Sequence, residues 1–265
     1  MTVDESRVRG WGDDIVSLRT YERRVLSAFG VLLNLGREML PGADYDVSVL
    51  SLDHPAWQGA VDEILLPAWR AMFEASAEDW LRERGLVAAL PPPYDYRISA
   101  DGFMNAVRNR LVRVADPVFD VMRGTLNAAR ADNLDQRQVA RQVDALLRST
   151  NQEVWRNRAA TIARTEVFAA RNAGHHASAL ATAQALDVAP SQVAKRWRAS
   201  ADERTRATHA EADRTVVVGL DTPLIVGDAQ LQFPGDPDGP GREVINCRCW
   251  LEYLMPGDPG YPGSP

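Results

Sequence analysis

Two cysteines, Cys247 and Cys249, stand two residues apart near the carboxyl end, in the segment REVINCRCWLEYL, and the chain has no others. A disulfide between them would be strained, because the preferred Cα separation and dihedral angle are hard to reach across one intervening residue. This spacing leaves three interpretations: a metal site, a reactive thiol, or two small packed side chains.

Asp202 and His209 are the residues that would complete a metal site with these cysteines. Two thiolates, an imidazole and a carboxylate form a four-ligand set that can hold zinc in tetrahedral geometry. Zinc is therefore the one cofactor that the sequence indicates, although Cys-x-Cys is less diagnostic than paired Cys-x-x-Cys motifs. The competing interpretation is a packed corner, in which the cysteines act as small apolar residues, His209 donates to a backbone carbonyl and Asp202 caps a helix.

A catalytic Cys-His pair is the enzyme interpretation of the same residues. A nucleophilic cysteine needs a base within hydrogen-bond reach and a third group to orient that base, for which Asp202, Asn246 or Asp236 could serve. The sequence places no pKa-lowering feature, such as a helix amino terminus, at either cysteine. We therefore do not expect the chain to be an enzyme.

The composition bounds the classes of protein to which the chain can belong. Its net charge of -6 argues against general nucleic-acid coating, and no signal peptide or run of about 18 apolar residues appears. One segment is locally basic, because it contains thirteen arginines and only eight acidic residues between Arg97 and Arg171. Either these are solvated helix faces, or they contact the acidic surface of a partner or DNA.

Hydrophobic periodicity predicts helices over residues 14–39 and 55–84, and again from about residue 99 to 186. Pro67 is expected to kink or split the second helix, and the proline-rich stretch at 91–93 reads as a linker. After Asp187, short β-branched segments separated by Gly, Pro and Asp predict strands.

The predicted fold is mostly α, with an extended N-terminal helical region and a smaller C-terminal α+β module. The tryptophans of the first part are expected to anchor an interface, because they present more aromatic surface than a small helical domain readily buries; they are Trp11, Trp57, Trp69 and Trp80. The predicted segments are 1–90, an N-terminal helical region; 91–186, a long-helix region; 187–255, the α+β module; and 256–265, a Pro/Gly-rich tail.

Several spaced motifs follow one another in roughly the last two fifths of the chain. They are ARTE with Arg164 and Glu166, Asn172 with Gly174, Trp197, the run from Asp202 to His209 with Arg204 and Arg206, PGDP with Asp236, and NCRC with Asn246. In this order they resemble the carboxy-terminal domain of the phage Mu protein F-like minor head proteins, also called the phage head morphogenesis family. Such domains commonly place a glycine shortly after the histidine, where this chain has ADRTVV.

The resemblance implies a minor capsid protein of a tailed bacteriophage, associated with the portal vertex and needed for head assembly or genome delivery. The implied partners are the portal protein and major capsid or neck proteins, with packaged DNA as a further contact and no membrane. The family's architecture implies that the helical region 1–90 makes the contact with portal or capsid. The implied location is the virion, at the capsid interior or portal vertex, after assembly in the host cytoplasm. The alternative is a Cys-dependent processing peptidase or a toxin-delivery module, although only a short tail follows WLEYL.

Arg204 and Arg206 allow two arrangements. They can pair with carboxylates of their own helix, or one of them can be buried and form a forked contact with Asp236. We expect the second arrangement, because the loop FPGDPDGPG has little apolar material to hold it in place.

Overall fold

The structure, a computed structural model, describes residues 6–46, 49–86, 96–148 and 152–263. The chain forms two compact units, one from residues 1–68 and 107–163, the other from residues 69–106 and 164–265. These units cut across the segments predicted from the sequence, because each unit draws on two separate stretches of chain. The proline-rich linker predicted at 91–93 lies outside the described residues.

The predicted mostly helical fold with a smaller carboxy-terminal α+β module is confirmed. The helices are α1 (Ser6–Met39), α2 (Pro55–Ala60), α3 (Leu66–Glu83), α4 (Tyr96–Arg113), α5 (Asp116–Ala131), α6 (Gln136–Leu147), α7 (Glu153–Ala185), α8 (Ala207–Glu211) and α9 (Gly241–Val244). The strands are β1 (Ala194–Arg198), β2 (Val216–Val218), β3 (Leu224–Val226), β4 (Ala229–Leu231) and β5 (Trp250–Leu254). No helix within the described ranges is both long and apolar enough to cross a membrane.

The helical run that begins at Pro55 shows how local chemistry sets helix boundaries. Proline fits the first helical turn, and the His54 ring accepts a hydrogen bond from the amide of Ala56. Pro67 lies in the first turn of α3, and a π-helical turn, Val61–Leu65, precedes it. This wider turn relieves the clash between the proline ring and the preceding turn. Pro67 therefore alters the helical run without ending it.

Buried tryptophans belong to the cores of the two units. In the first unit the Trp57 side chain is fully buried, and its indole N–H donates to the carbonyl of Val112 at 2.9 Å. Trp69 and Trp80 are buried in the second unit. The prediction that these residues anchor an interface is therefore wrong for all three, because the folded chain already covers their rings. The Trp11 side chain lies outside the described residues.

An antiparallel sheet of order β2-β1-β5 forms the centre of the α+β part of the second unit. In β1, Lys195 pairs with Tyr253, and Trp197 pairs with Leu251. The Lys195 ammonium group is fully buried and donates to the carbonyls of Leu220 and Gln232 and to the Gln232 side chain. A buried ammonium needs such acceptors, so this lysine fastens two loops to the central strand.

Gly260 and Tyr261 of the predicted Pro/Gly-rich tail are hydrogen-bonded to other residues of the second unit. The Tyr261 hydroxyl donates to the carbonyl of Gln192 at 2.7 Å, and Arg196 donates to the carbonyl of Gly260 at 2.5 Å. The tail residues thus have partners within the same unit.

Helix α7 approaches α3 closely at Gly174. A Cβ atom added to Gly174 would lie 2.5 Å from the carbonyl oxygen of Phe73 and 3.0 Å from the amide nitrogen of Ala77. One turn further on, the Ser178 hydroxyl donates to the carbonyl of Ala77 at 3.0 Å. The absence of a side chain at Gly174 is therefore what allows the two backbones to lie this close together.

Replacing Gly174 with Ala is expected to lower the free energy of unfolding by about 1–3 kcal/mol, because the added methyl group meets backbone atoms that cannot move independently. The matched control is Gly124→Ala on the exposed surface of α5, where no atom lies within 4 Å of an added Cβ. The control should be neutral or stabilising by up to about 1 kcal/mol. Urea titration measures both; equal effects of the two substitutions would contradict the close-approach argument.

His176 is a buried histidine on α7. Its Nδ1 lies 3.2 Å from the Tyr253 hydroxyl, and its ring packs against that of Phe233 with 5.5 Å between centroids. Burial, with a smaller contribution from the charge of Lys195, lowers the pKa of His176 to about 3. The folded protein therefore holds this ring neutral at pH values at which an unfolded chain would protonate it.

The unfolded state binds this proton more tightly than the folded state, so the contribution of His176 to stability is complete above pH 6.5 and is lost as the pH falls toward 3. From pH 6.5 to 5 the loss should approach about 2 kcal/mol, at about 1.4 kcal/mol per pH unit. Urea unfolding at both pH values measures it, with His176→Gln as the variant that cannot titrate. Identical pH dependence in the two proteins would contradict this assignment.

Candidate functional site

Cys247 and Cys249 lie in the segment between α9 and β5. Neither cysteine is a strand residue, since β5 begins at Trp250. Asn246, which precedes them, has a φ of 58°, a left-handed conformation that asparagine tolerates better than most residues. This conformation directs the chain from the short helix α9 into the cysteine segment.

The cysteine segment is attached to α7 through Asn246. The Asn246 amide donates to the Thr165 hydroxyl at 3.0 Å, and Arg164 donates from Nε to the Asn246 side-chain oxygen at 3.1 Å. Two residues of the ARTE motif thus hold the first residue of the NCRC motif. Glu166, in the same motif, is buried.

Asn172 connects two loops to the same helix. Its buried side-chain amide donates to the carbonyls of Pro234 and Cys249, both at 3.0 Å. Next to Pro234, Gly235 has a φ of 81°, and an added Cβ would lie 2.9 Å from the Cα of Ala169. The PGDP loop and the cysteine segment therefore both lie directly on α7.

His209, placed by the short helix α8, completes a cluster with the two cysteines. Its Nδ1 atom lies 3.3 Å from Sγ of Cys249 and 3.6 Å from Sγ of Cys247. One potential ligand atom from each of the three residues lies within 4.8 Å of the others, and all three side chains are buried. The Trp197 ring meets the imidazole edge-on, with 5.5 Å between centroids.

The carboxylate next to His209 belongs to Glu243, which the sequence did not single out. Glu243 Oε2 lies 3.0 Å from Nε2 of His209 and accepts a hydrogen bond from the Thr208 hydroxyl, also at 3.0 Å. Glu243 is itself buried. The imidazole therefore has the two thiols on one side and a fixed carboxylate on the other.

The two thiols are linked to each other electrostatically. A hydrogen bond with Cys247 lowers the pKa of Cys249 to about 5, and the contact with His209 contributes in the same direction. The same bond, together with burial, raises the pKa of Cys247 well above its ordinary value. The first proton therefore leaves the pair readily, whereas the second is held by the negative charge that remains.

Asp202 lies apart from this cluster. Its carboxylate forms a two-pronged ion pair with Arg248, with one contact at 2.6 Å, and hydrogen bonds from Arg248 hold the pKa of Asp202 well below its usual range. It also accepts hydrogen bonds from the amide of Arg204 and the hydroxyl of Thr205. Of the four ligands predicted from the sequence, the structure brings together Cys247, Cys249 and His209 and gives Asp202 a different partner.

The expected fork from Arg204 or Arg206 onto Asp236 is replaced by other contacts. Arg206 donates to the carbonyl of Ile245, and Arg204 lies 3.9 Å from the Asp202 carboxylate. Asp236 accepts hydrogen bonds from the backbone amides at positions 232 and 238. The PGDP loop is thus organised by its own aspartate and fastened to α7 through backbone carbonyls.

Sequence reasoning missed Glu243, Arg248 and the role of Lys195. Lys195 carries a signal, because it is the only lysine among 30 basic residues. Glu243 and Arg248 carry none, because their partners His209 and Asp202 are 34 and 46 residues away in sequence. Neither pair has a spacing that a local pattern could reveal.

Comparison with known proteins was made by family and by individual sequence. The family described as "Phage Mu protein F like protein" matches residues 114–252, which is more than half of the chain. The uncharacterized protein YqbB of Bacillus subtilis (strain 168) is 39% identical over 104 residues, which span 38% of this chain and 32% of YqbB. The chain thus matches about a third of the length of this curated relative. No solved structure matches.

The chain belongs to the phage Mu protein F-like family. Its description marks this family as one of phage proteins. The family resemblance found in the sequence is confirmed, and the Arg164, Asn172 and Asn246 motif positions are those that fasten the loops to α7.

Replacing Asn172 with Asp is expected to lower the free energy of unfolding by at least about 3 kcal/mol, because two buried carbonyls lose their donor and meet a negative charge. Asn127→Asp is the matched control, since Asn127 is exposed on α5, and it should change stability by less than about 0.5 kcal/mol. Chemical denaturation measures both variants. A loss at Asn172 no larger than that at Asn127 would show that this amide does not hold the two loops.

Proposed function

We propose that this chain is a bacteriophage head-morphogenesis protein, a minor capsid protein of the portal vertex that contributes to head assembly or genome delivery. The observation that carries the proposal is the family match over residues 114–252, which covers the α+β module together with α5, α6 and α7. The remaining question is which surface meets the partner.

The basic segment supplies a candidate surface. In α6, Arg137 and Arg141 are exposed and lie four residues apart, on the same side of the helix. In the first turns of α7, Arg156 and Arg158 are also exposed. Within the described ranges none of these four arginines has an ion pair, so their charges face solvent.

Other arginines of the segment already have acidic partners. Such pairs join Arg108 to Asp62 at 2.6 Å, Arg113 to Asp116 at 3.7 Å, and Arg123 to Asp120 at 2.8 Å. The exposed arginines that lack an ion pair within the described ranges therefore include those on α6 and at the start of α7. Unpaired arginines suit forked contacts with carboxylates, so an acidic face of the portal or neck proteins fits this surface. The overall charge of -6 favours a protein partner over packaged DNA.

Quantitative mass spectrometry of purified particles tests the proposal. The chain should be present in mature particles, and Arg137→Glu/Arg141→Glu should reduce its copies per particle by about tenfold, a loss equivalent to about 1.4 kcal/mol of binding. The matched control, Arg113→Glu/Arg123→Glu, changes the net charge equally, but at arginines that already pair with acidic residues in the same unit.

Two results would overturn the proposal. If the chain is found in empty precursors and is missing from mature particles, it is a transient assembly factor instead of a virion component. If both double variants enter particles as the unmodified protein does, the α6 surface is not the contact. Crosslinks from the α6 region to portal subunits support the portal as partner, whereas crosslinks to DNA alone would replace it.

A further inference from the structure

The cluster of His209, Cys247 and Cys249 has the dimensions of a zinc site. In a tetrahedral site with Zn–S bonds near 2.3 Å and Zn–N bonds near 2.0–2.1 Å, a sulfur and a nitrogen ligand lie about 3.5 Å apart. The two Nδ1–Sγ distances here are 3.3 and 3.6 Å. The folded chain alone thus places three ligand atoms about where a zinc ion would hold them.

The hydrogen bonds around His209 favour the tautomer that binds metal. Nε2 of His209 lies 3.0 Å from a carboxylate oxygen of Glu243, so a hydrogen on Nε2 has an acceptor there. In the neutral ring, the Nδ1 lone pair then faces the sulfurs. That lone pair can accept only one S–H hydrogen, whereas a metal ion would use both sulfurs together with the nitrogen.

We propose that Cys247, Cys249 and His209 bind one Zn²⁺ ion per chain, with Glu243 as the positioning residue that orients His209. A carboxylate that accepts from the far nitrogen of a ligating histidine is a common outer-shell arrangement at zinc sites. Two thiolates and an imidazole select zinc over Mg²⁺ or Ca²⁺, which prefer oxygen ligands. The proposal is independent of the portal-vertex function.

The fourth coordination position belongs to water or to a group outside the cluster. Among the described residues, the cluster holds no fourth His, Cys, Asp or Glu side chain. Asp202, the ligand expected from the sequence, is engaged by Arg248. We therefore infer a site with three protein ligands in place of the four-ligand set.

The site also resembles a catalytic triad, with Cys249 as the nucleophile, His209 as the base and Glu243 as the orienting carboxylate. Burial argues against catalysis, because the exposed fractions of Cys249 and His209 are 3% and 2%. A substrate carbonyl would have to displace packed side chains to reach the sulfur. A second buried thiol beside the first has a use in metal binding and none in this form of catalysis.

Elemental analysis of the full chain, purified with reduced thiols, tests the site. Unmodified protein should contain about one zinc ion per chain. The Cys249→Ser or His209→Gln substitution should reduce the zinc content to below about a tenth of an ion per chain. Glu243→Gln should weaken zinc affinity by about 10- to 100-fold while full occupancy is still reached at high zinc. The matched control is Asp202→Asn, which should retain zinc.

Cobalt substitution supplies a measurement that does not depend on whether the cysteine variants fold. Metal-free chain should bind one Co²⁺ with thiolate charge-transfer absorption and the visible bands of a tetrahedral ion, and Zn²⁺ should displace it. Chelation should lower the melting temperature, because binding energy at a structural site is also folding energy. Zinc loss in Asp202→Asn would overturn the three-ligand set.

Absence of both metals from freshly reduced protein would overturn the proposal altogether. If such metal-free protein also shows one cysteine that is alkylated rapidly in the native state, the catalytic Cys-His pair replaces the zinc site as the interpretation. If neither metal binding nor rapid alkylation occurs, the packed-corner interpretation replaces it. If the Cys249→Ser variant enters particles normally, the proposed function at the portal vertex is retained, and the elemental analysis alone decides whether the site binds metal.

Discussion

The buried side-chain amide of Asn172 is the interaction on which the α+β part of the second unit depends most. It donates to the carbonyls of Pro234 and Cys249, which are 62 and 77 residues away in sequence. Neither carbonyl belongs to a strand ladder, so each needs a donor from elsewhere once it is buried. A single amide with two hydrogens meets both needs and fixes both loops against one helix.

Small residues surround the Asn172 amide because the backbones lie close together there. An added Cβ at Gly174 would strike α3, and one at Gly235 would strike Ala169 on α7. The close approach of backbones brings the loop carbonyls within reach of a short asparagine side chain. Thr165 and Arg164 repeat the arrangement about two turns earlier in the helix, with Asn246 as their partner. The residues of the family motifs therefore serve largely to attach loops to α7.

The strands of this unit are too short to hold it by themselves. β2, β3 and β4 have three residues each, so the sheet and hairpin offer little ladder and little apolar face. Polar contacts supply much of the attachment that the short strands lack: Lys195 donates to three acceptors, and Asp202 pairs with Arg248. The cluster around His209 adds a further point of attachment between α8 and the segment before β5. Such cross-links hold the loops in one conformation although the strands are short.

The sequence by itself determined the helices, the strands and the family. Hydrophobic periodicity and interruption by Pro and Gly are local signals. They were sufficient for the end of α1 at Met39, for the start at Pro55 and for the short strands, whereas α1 begins at Ser6, earlier than the predicted residue 14. Spacing also identified three members of the cluster, because cysteine and histidine are rare in this chain and chemically distinctive. Only the tertiary structure decided that Glu243 stands beside His209, that Asp202 pairs with Arg248, and that Trp57, Trp69 and Trp80 are covered. Such pairings depend on which segments meet after the chain has turned many times, and carboxylates and arginines are too common for local spacing to reveal their partners.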